Sequence, residues 1–153
     1  MGKTIAGNKK AYHDYFIDET FEAGIALTGT EVKSIREYGL SLKESFAHVR
    51  AGEVWLMGLH IKPYAQGSYN NPDPDRPRKL LLRKKQIRYL DAKTRVKGQT
   101  IVPTKIYFSN SNLLKVEIAL ARGKKNYDKR ATIAAKDAQR DIERSLKSRS
   151  QSQ

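Results

Sequence analysis

Between Arg76 and Lys97 the chain carries ten cationic side chains, Arg76, Arg78, Lys79, Arg83, Lys84, Lys85, Arg88, Lys93, Arg95 and Lys97, against the one acid Asp91. An excess of this kind either coats a solvated helix or lines a surface that tracks a phosphate backbone. The composition favours the second. Over 153 residues, 30 Lys and Arg stand against 16 Asp and Glu, a formal charge of +14. Charge on that scale speaks to a polyanionic partner and to association kinetics, not to fold. Tyr12, Tyr64, Tyr69 and Tyr127 fall in lead-in, loop or hinge positions. There a ring can stack on a base or simply pack against its own loop.

Signals for catalysis are poor by comparison. His13, His48 and His60 have no metal-ligand spacing, and the absence of cysteine excludes disulfides and thiolate metal sites. Asp14, Asp18, Glu19 and Glu22 hint at a magnesium-dependent nuclease. On a strand, however, 14, 18 and 22 spread along one face and do not converge. Gly123-Lys124-Lys125 fails as a phosphate-binding loop twice over: Ile118 stands where the earlier glycine belongs, and Lys125 follows Lys124 in place of Ser or Thr. The reading is a binder without cofactor or metal. The longest apolar run near the start, Ala23 to Leu27, is too short for a membrane span, and Ala6 occupies the Ser/Thr position of a myristoylation signal.

The elements that must position these residues follow from periodicity. Residues 1–12 are polar and basic and read as a flexible lead-in. From Tyr15 to Leu27 apolar and polar residues alternate, with an interruption at Glu19, so a long strand is predicted with a bend at Gly24. Thr28-Gly-Thr-Glu31 is a capping-box pattern opening a short helix that Gly39 ends. Phe46–Val49 and Val54–Ile61 flank Arg50-Ala-Gly-Glu53 as a hairpin. Four of the five prolines lie in 62–78, which reads as loop. Lys79–Leu82 reads as a short buried strand leading into a helix over 83–97, with Gly98 as its stop. A second hairpin joins Ile101–Phe108 to Leu113–Ala121. About six short antiparallel strands with two helices predict a small closed or nearly closed barrel, 13–123, which removes exposed edges.

At Ala121–Arg130 the composition changes. Beyond it stand only three large aliphatics, Ile133, Ile142 and Leu146, while Lys136, Arg140, Arg144 and Lys147 recur at helical spacing. So little apolar surface predicts a tail, 124–153, that is disordered when free and helical when its basic face meets phosphates.

Four stretches carry a family resemblance: Asn8-Lys-Lys-Ala-Tyr-His-Asp-Tyr-Phe-Ile17, Glu22-Ala-Gly-Ile-Ala-Leu-Thr-Gly-Thr-Glu-Val-Lys-Ser-Ile-Arg36, Arg78-Lys-Leu-Leu-Leu82 and Gly123-Lys-Lys-Asn-Tyr-Asp-Lys-Arg130. In order and spacing they resemble the SmpB family of small proteins that bind transfer-messenger RNA. The resemblance implies a mainly β fold, an oligonucleotide-binding-type barrel with flanking helices, and a role in trans-translation. It implies binding to the tRNA-like domain in the space of its missing anticodon arm. Delivery to stalled ribosomes would then occur with GTP-bound elongation factor Tu through the shared RNA.

Carried over by position, the RNA-binding surface falls on Asn8, Glu22 and Leu81, with Lys9, Lys10, Arg36 and Lys79 as phosphate partners and Lys124 and Lys125 extending it. The tail residues Tyr127, Asp128, Lys129, Arg130, Lys136, Arg140, Arg144, Leu146 and Lys147 would enter the small-subunit decoding centre and empty messenger channel. Two departures stand out: Arg36-Glu-Tyr-Gly39 replaces the usual Arg-Ala-Gly, and Tyr127 stands where histidine is frequent, so that site cannot become a cation near neutral pH. The resemblance also implies a monomer in the bacterial cytoplasm. Composition alone leaves open a ribosomal or assembly protein with a basic extension, and an RNA-directed nuclease built on the carboxylates of the first strand.

Overall fold

A computed structural model describes residues 3–65 and 71–124. In chain order they form β1 (Thr4–Gly7), α1 (Lys9–Asp14), β2 (Tyr15–Ile25), α2 (Gly29–Tyr38), β3 (Phe46–Arg50) and β4 (Glu53–Met57). These are followed by β5 (Arg78–Leu81), α3 (Lys84–Thr94), β6 (Gln99–Phe108) and β7 (Leu114–Gly123). The strands pair antiparallel in the order β1-β6-β3-β4-β5-β2-β7, and β7 pairs back onto β6. Six strands therefore close into a barrel, and β1 adds to β6 beside the point where β3 leaves it. Closure removes the unpaired edges that an open sheet this small would expose. The mainly β fold with flanking helices is thus as expected.

Local chemistry explains most of the elements. Thr28 Oγ1 accepts from the Glu31 amide while Glu31 Oε1 accepts from the Thr28 amide, a complete capping box at the start of α2. Gly39, at φ +73°, ends that helix. Between β3 and β4, Ala51 and Gly52 take φ of 53° and 75°, the mirror-image two-residue turn that matches strand twist. β4 stops at Met57 and not at Ile61, because Gly58 turns to φ +72°, where a Cβ would lie 2.7 Å from the Glu44 carbonyl oxygen. Leu59 and Ile61 remain core residues from the loop beyond, while His60 is exposed and pairs with Asp75 at 2.8 Å. β2 carries a bulge between Ile17 and Glu19, where the alternation breaks.

The interior is filled by alternate residues of the strands, among them Val54, Leu56, Leu80, Ile101, Ile106, Val116 and Ile118, with Ile35 from α2 and Ile87 and Leu90 from α3. Residues 3–12 are not a loose lead-in. Thr4–Gly7 pairs with β6, and α1 seats Ala11 on Val102, Ala119 and Ala121 as a second small core on the outside of the barrel. The polar composition of this segment hid it, because one alanine and a capping asparagine carry the attachment.

The cationic run from Arg76 also begins differently from the solvent-facing surface expected. Arg78 is wholly buried, and Glu31 is 2% exposed. Glu31 Oε2 accepts from Arg78 Nε at 3.2 Å and Nη2 at 2.7 Å, and from Arg76 Nε at 3.0 Å; Oε1 accepts from Arg76 Nη2 at 2.6 Å. Arg78 Nη1 donates in addition to the carbonyls of Leu59 and Pro74, at 2.6 and 2.9 Å. Burial alone would raise the Glu31 pKa. Hydrogen bonds from Arg76, the Thr28 backbone and Arg78 outweigh it and hold the carboxyl below its ordinary value. This cluster fastens the loop before β5 to α2, and so fixes where β5 enters the barrel.

Candidate nucleic-acid interface

Strand register gathers residues distant in sequence onto one outer surface. Ile106, Val116, Ala23 and Leu80 point into the core, so their strand neighbours point outward. Tyr107 pairs with Lys115, Lys115 with Gly24, and Gly24 with Leu81, one row across β6, β7, β2 and β5. The adjacent row runs Lys105, Glu117, Glu22. Lys79 follows two residues before Leu81 on the same face of β5, opposite Trp55. Towards the other end of the same strands α1 covers Val102, Ala119 and Ala121. What stays uncovered is a shallow groove of about 590 Å³ lined by Glu22, Gly24, Leu81, Leu82, Arg83, Gln86 and Lys115.

Glu22 and Leu81 therefore meet in one groove, with Lys79 beside them. Leu81 is 50% exposed, so it is a surface residue and not part of the core. The Tyr107 hydroxyl donates to Glu22 Oε2. Burial, and then the Glu22 carboxylate, push the Tyr107 pKa well above its ordinary value, so this donor keeps its proton throughout the physiological range. Glu117 is engaged separately by Thr104 Oγ1 at 2.6 Å and by Lys105 Nζ at 3.9 Å. Lys79 lies 3.6 Å from Glu53, an exposed pair of small energetic weight that a phosphate can displace.

The remaining expected residues lie in two other places. Lys9 is exposed on the first turn of α1, and Lys10 reaches Asp14 at 3.9 Å and Glu44 at 3.5 Å. Lys124 joins this neighbourhood by donating to the Tyr12 carbonyl at 3.1 Å while its ammonium sits over the Phe16 ring, 5.2 Å from the centroid. Arg36 lies elsewhere, stacked over Phe108 at 4.8 Å.

Asn8 lies under α1. It is 6% exposed and caps α1, its amide donating to the carbonyls of Pro103 at 2.8 Å and Leu42 at 3.3 Å while Oδ1 accepts from Ala11. Both donors are used inside the fold, so Asn8 positions α1 and the lysines it carries. Lys125 and all the tail residues from Tyr127 to Lys147 lie outside the described residues, as does Tyr69.

The four carboxylates that suggested a nuclease do not converge. Asp14 pairs with His13 and Lys10, Asp18 with Arg122, Glu19 with Tyr89, and Glu22 with Tyr107. Of the tyrosines, Tyr12 is half exposed on α1, while Tyr64 packs its ring against Tyr38 at 6.3 Å. Lys105, Tyr107, Lys115 and Arg83 are functional candidates beyond the carried-over set. The turn between the last two strands has five residues, 109–113, and sets Tyr107 opposite Lys115; the four-residue turn read from the sequence would have set Tyr107 opposite Leu114. Their approach to Gly24 and Leu81 is long-range and has no local signal.

A closed antiparallel barrel with helices on its flanks and an open, groove-bearing, charge-lined outer face is the architecture of a small nucleic-acid-binding β-barrel. A family model described as "SmpB protein" matches residues 5–148. The chain belongs to the SmpB family. It is 58% identical over 145 residues to the "SsrA-binding protein" of Fervidobacterium nodosum, covering 95% of this chain and 97% of that one. It is also 58% identical over 148 residues to the "SsrA-binding protein" of Shouchella clausii, with 97% and 94% coverage. A chain of a solved structure described as "tmRNA-SmpB: a journey to the center of the bacterial ribosome" matches with a TM-score of 0.65 and 53% identity, over 77% of this chain and 82% of that one.

Proposed function

We infer that this protein binds transfer-messenger RNA and serves trans-translation on the ribosome. The observation that carries the reading is the convergence of Glu22, Leu81, Lys79 and Lys115 on one uncovered barrel face, in a chain 58% identical to proteins named for binding SsrA. The face offers cations for phosphates, an apolar side chain for a base or sugar, and a carboxylate that accepts from base amino groups or ribose hydroxyls. Lys9, Lys10 and Lys124 extend the cationic surface along α1 towards the exit of the chain.

In this reading the protein is an adaptor without a reaction of its own, acting as a monomer in the bacterial cytoplasm. It occupies the place of the missing anticodon arm and meets elongation factor Tu only through the shared RNA. Residues 124–153 form a unit separate from the barrel. Lys125 continues the RNA-holding surface, and Tyr127 through Lys147 enter the decoding centre and messenger channel.

A mobility-shift competition tests the core of this reading. The isolated tRNA-like domain of transfer-messenger RNA should displace a labelled copy at concentrations at least about a hundredfold below those needed for a full-length elongator tRNA, a margin set below the usual specific-to-non-specific ratio of roughly a thousandfold or more. Equal competition by the two RNAs would refute it.

A further inference from the structure

We propose that the groove beside Glu22 reads one unpaired guanine by its Watson–Crick edge, with Tyr107 as the residue that positions the reading carboxylate. The inference rests on the RNA-binding role proposed for this face.

An acid on a surface that receives a polyanion repels phosphates unless something else engages it. Glu117 is engaged, by Lys105 and Thr104. Glu22 is not neutralised in this way: among the described residues it makes no ion pair, and it accepts from Tyr107 alone. Its side chain is exposed at the groove while Tyr107 is buried. The phenol thus pins Oε2 from below and leaves the outer side of the carboxylate open.

A carboxylate oxygen has two lone-pair sites, so one bond from Tyr107 leaves Oε1 and the second site of Oε2 for a ligand. An ionised carboxylate only accepts, so its complement is an edge with adjacent donors. Of the four RNA bases guanine alone has one, N1–H beside N2–H. Adenine and cytosine set a ring-nitrogen lone pair next to the amino group, and uracil flanks its single N–H with carbonyls. Each of those brings lone pairs against the carboxylate.

The floor of the groove suits a flat ring. Gly24 has no side chain, and Leu81 leans across the space: a Cβ on Gly24 would lie 3.3 Å from the Leu81 Cβ. Half-exposed Leu81 then offers an apolar surface to the face of the base, while Lys115 and Arg83 on the rim stand ready for the flanking phosphates.

The test uses the full chain with the tRNA-like domain and kethoxal, a reagent that adds across N1 and N2 of unpaired guanines. Wild type at saturation should protect one guanine that Glu22→Gln, also at saturation, leaves reactive. Replacing that guanine by inosine, which lacks the N2 amino group, should weaken wild-type binding about tenfold, the effect of a good base-edge contact, and leave Glu22→Gln affinity unchanged. The inosine arm needs no saturation by the variant. Tyr107→Phe should partly restore kethoxal reactivity at the same guanine while melting as a folded barrel. A saturated wild-type complex with no protected guanine, protection that persists in Glu22→Gln, or inosine without effect on wild type would each overturn the proposal. Failure of wild type to bind the RNA at all would instead defeat the reading on which it rests.

Discussion

Glu31→Gln removes the single negative charge from a buried cluster while keeping side-chain volume. Glu31 receives four hydrogen bonds from Arg76 and Arg78 and one from the Thr28 amide, and Arg78 has no exposure to solvent. The glutamine carbonyl can replace one oxygen as acceptor, but its NH2 group then faces guanidinium donors. Arg78 is left with its carbonyl partners and no counter-charge. Breaking a buried pair from one side costs about 3–5 kcal/mol, far more than the pair contributes relative to an apolar replacement. For a domain of this length each kcal/mol lowers Tm by roughly 2–6 °C, so a fall on the order of 10–20 °C is expected in a thermal melt followed by circular dichroism.

The sign of the pH dependence is fixed by the same cluster. Because the folded Glu31 pKa lies below the ordinary 4.5, its contribution is complete above that value and is lost as pH falls through the lower folded value. Wild-type stability should therefore drop more steeply than that of Glu31→Gln as pH descends below 4.5. Arg78→Met combined with Glu31→Gln should lose much less than the sum of the two single losses. A Glu31→Gln protein melting within about 2 °C of wild type would refute the assignment of this cluster as the fastening of β5.

Leu81→Asp should weaken capture of the tRNA-like domain about tenfold or more while leaving Tm nearly unchanged, because the side chain is half exposed; a large fall in Tm would mean that Leu81 is core. Lys115→Ala should reduce the slope of log affinity against log salt by about one, measured by fluorescence anisotropy, and an unchanged slope would remove Lys115 from the phosphate contacts. Truncation after Arg130 should preserve affinity for the tRNA-like domain and abolish peptide tagging on stalled ribosomes; equal loss of both would sink the division between barrel and tail.

Elements governed by neighbours in sequence were legible from the chain itself. The Thr28–Glu31 box, the Ala51-Gly52 turn and the Gly39 stop each carry a short-range geometric signal, whereas α3 ends at Thr94, with Arg95 as its C-cap, three residues short of the end expected from Gly98. Periodicity located β7, and a closed barrel followed from the number of strands. Two things were not legible. One is α1 and β1, whose attachment depends on Asn8 reaching carbonyls 34 and 95 residues away. The other is the sorting of cations: Arg76 and Arg78 look like their neighbours in sequence, yet a glutamate 45 or more residues distant takes both inward. In the candidate site, resemblance supplied Glu22 and Leu81, and only the register of β2 with β5 and β7 added Lys115 and Tyr107.

The double pairing of β7 has a mechanical side. From Leu114 to Arg122 this strand is paired with β6 on one flank and, from Lys115 to Gly123, with β2 on the other. A pull on the chain along that strand axis would load both ladders in shear, so that their bonds share the force and do not open one after another. The last strand of the barrel is thus held like a moored cable and not like the free edge of a sheet.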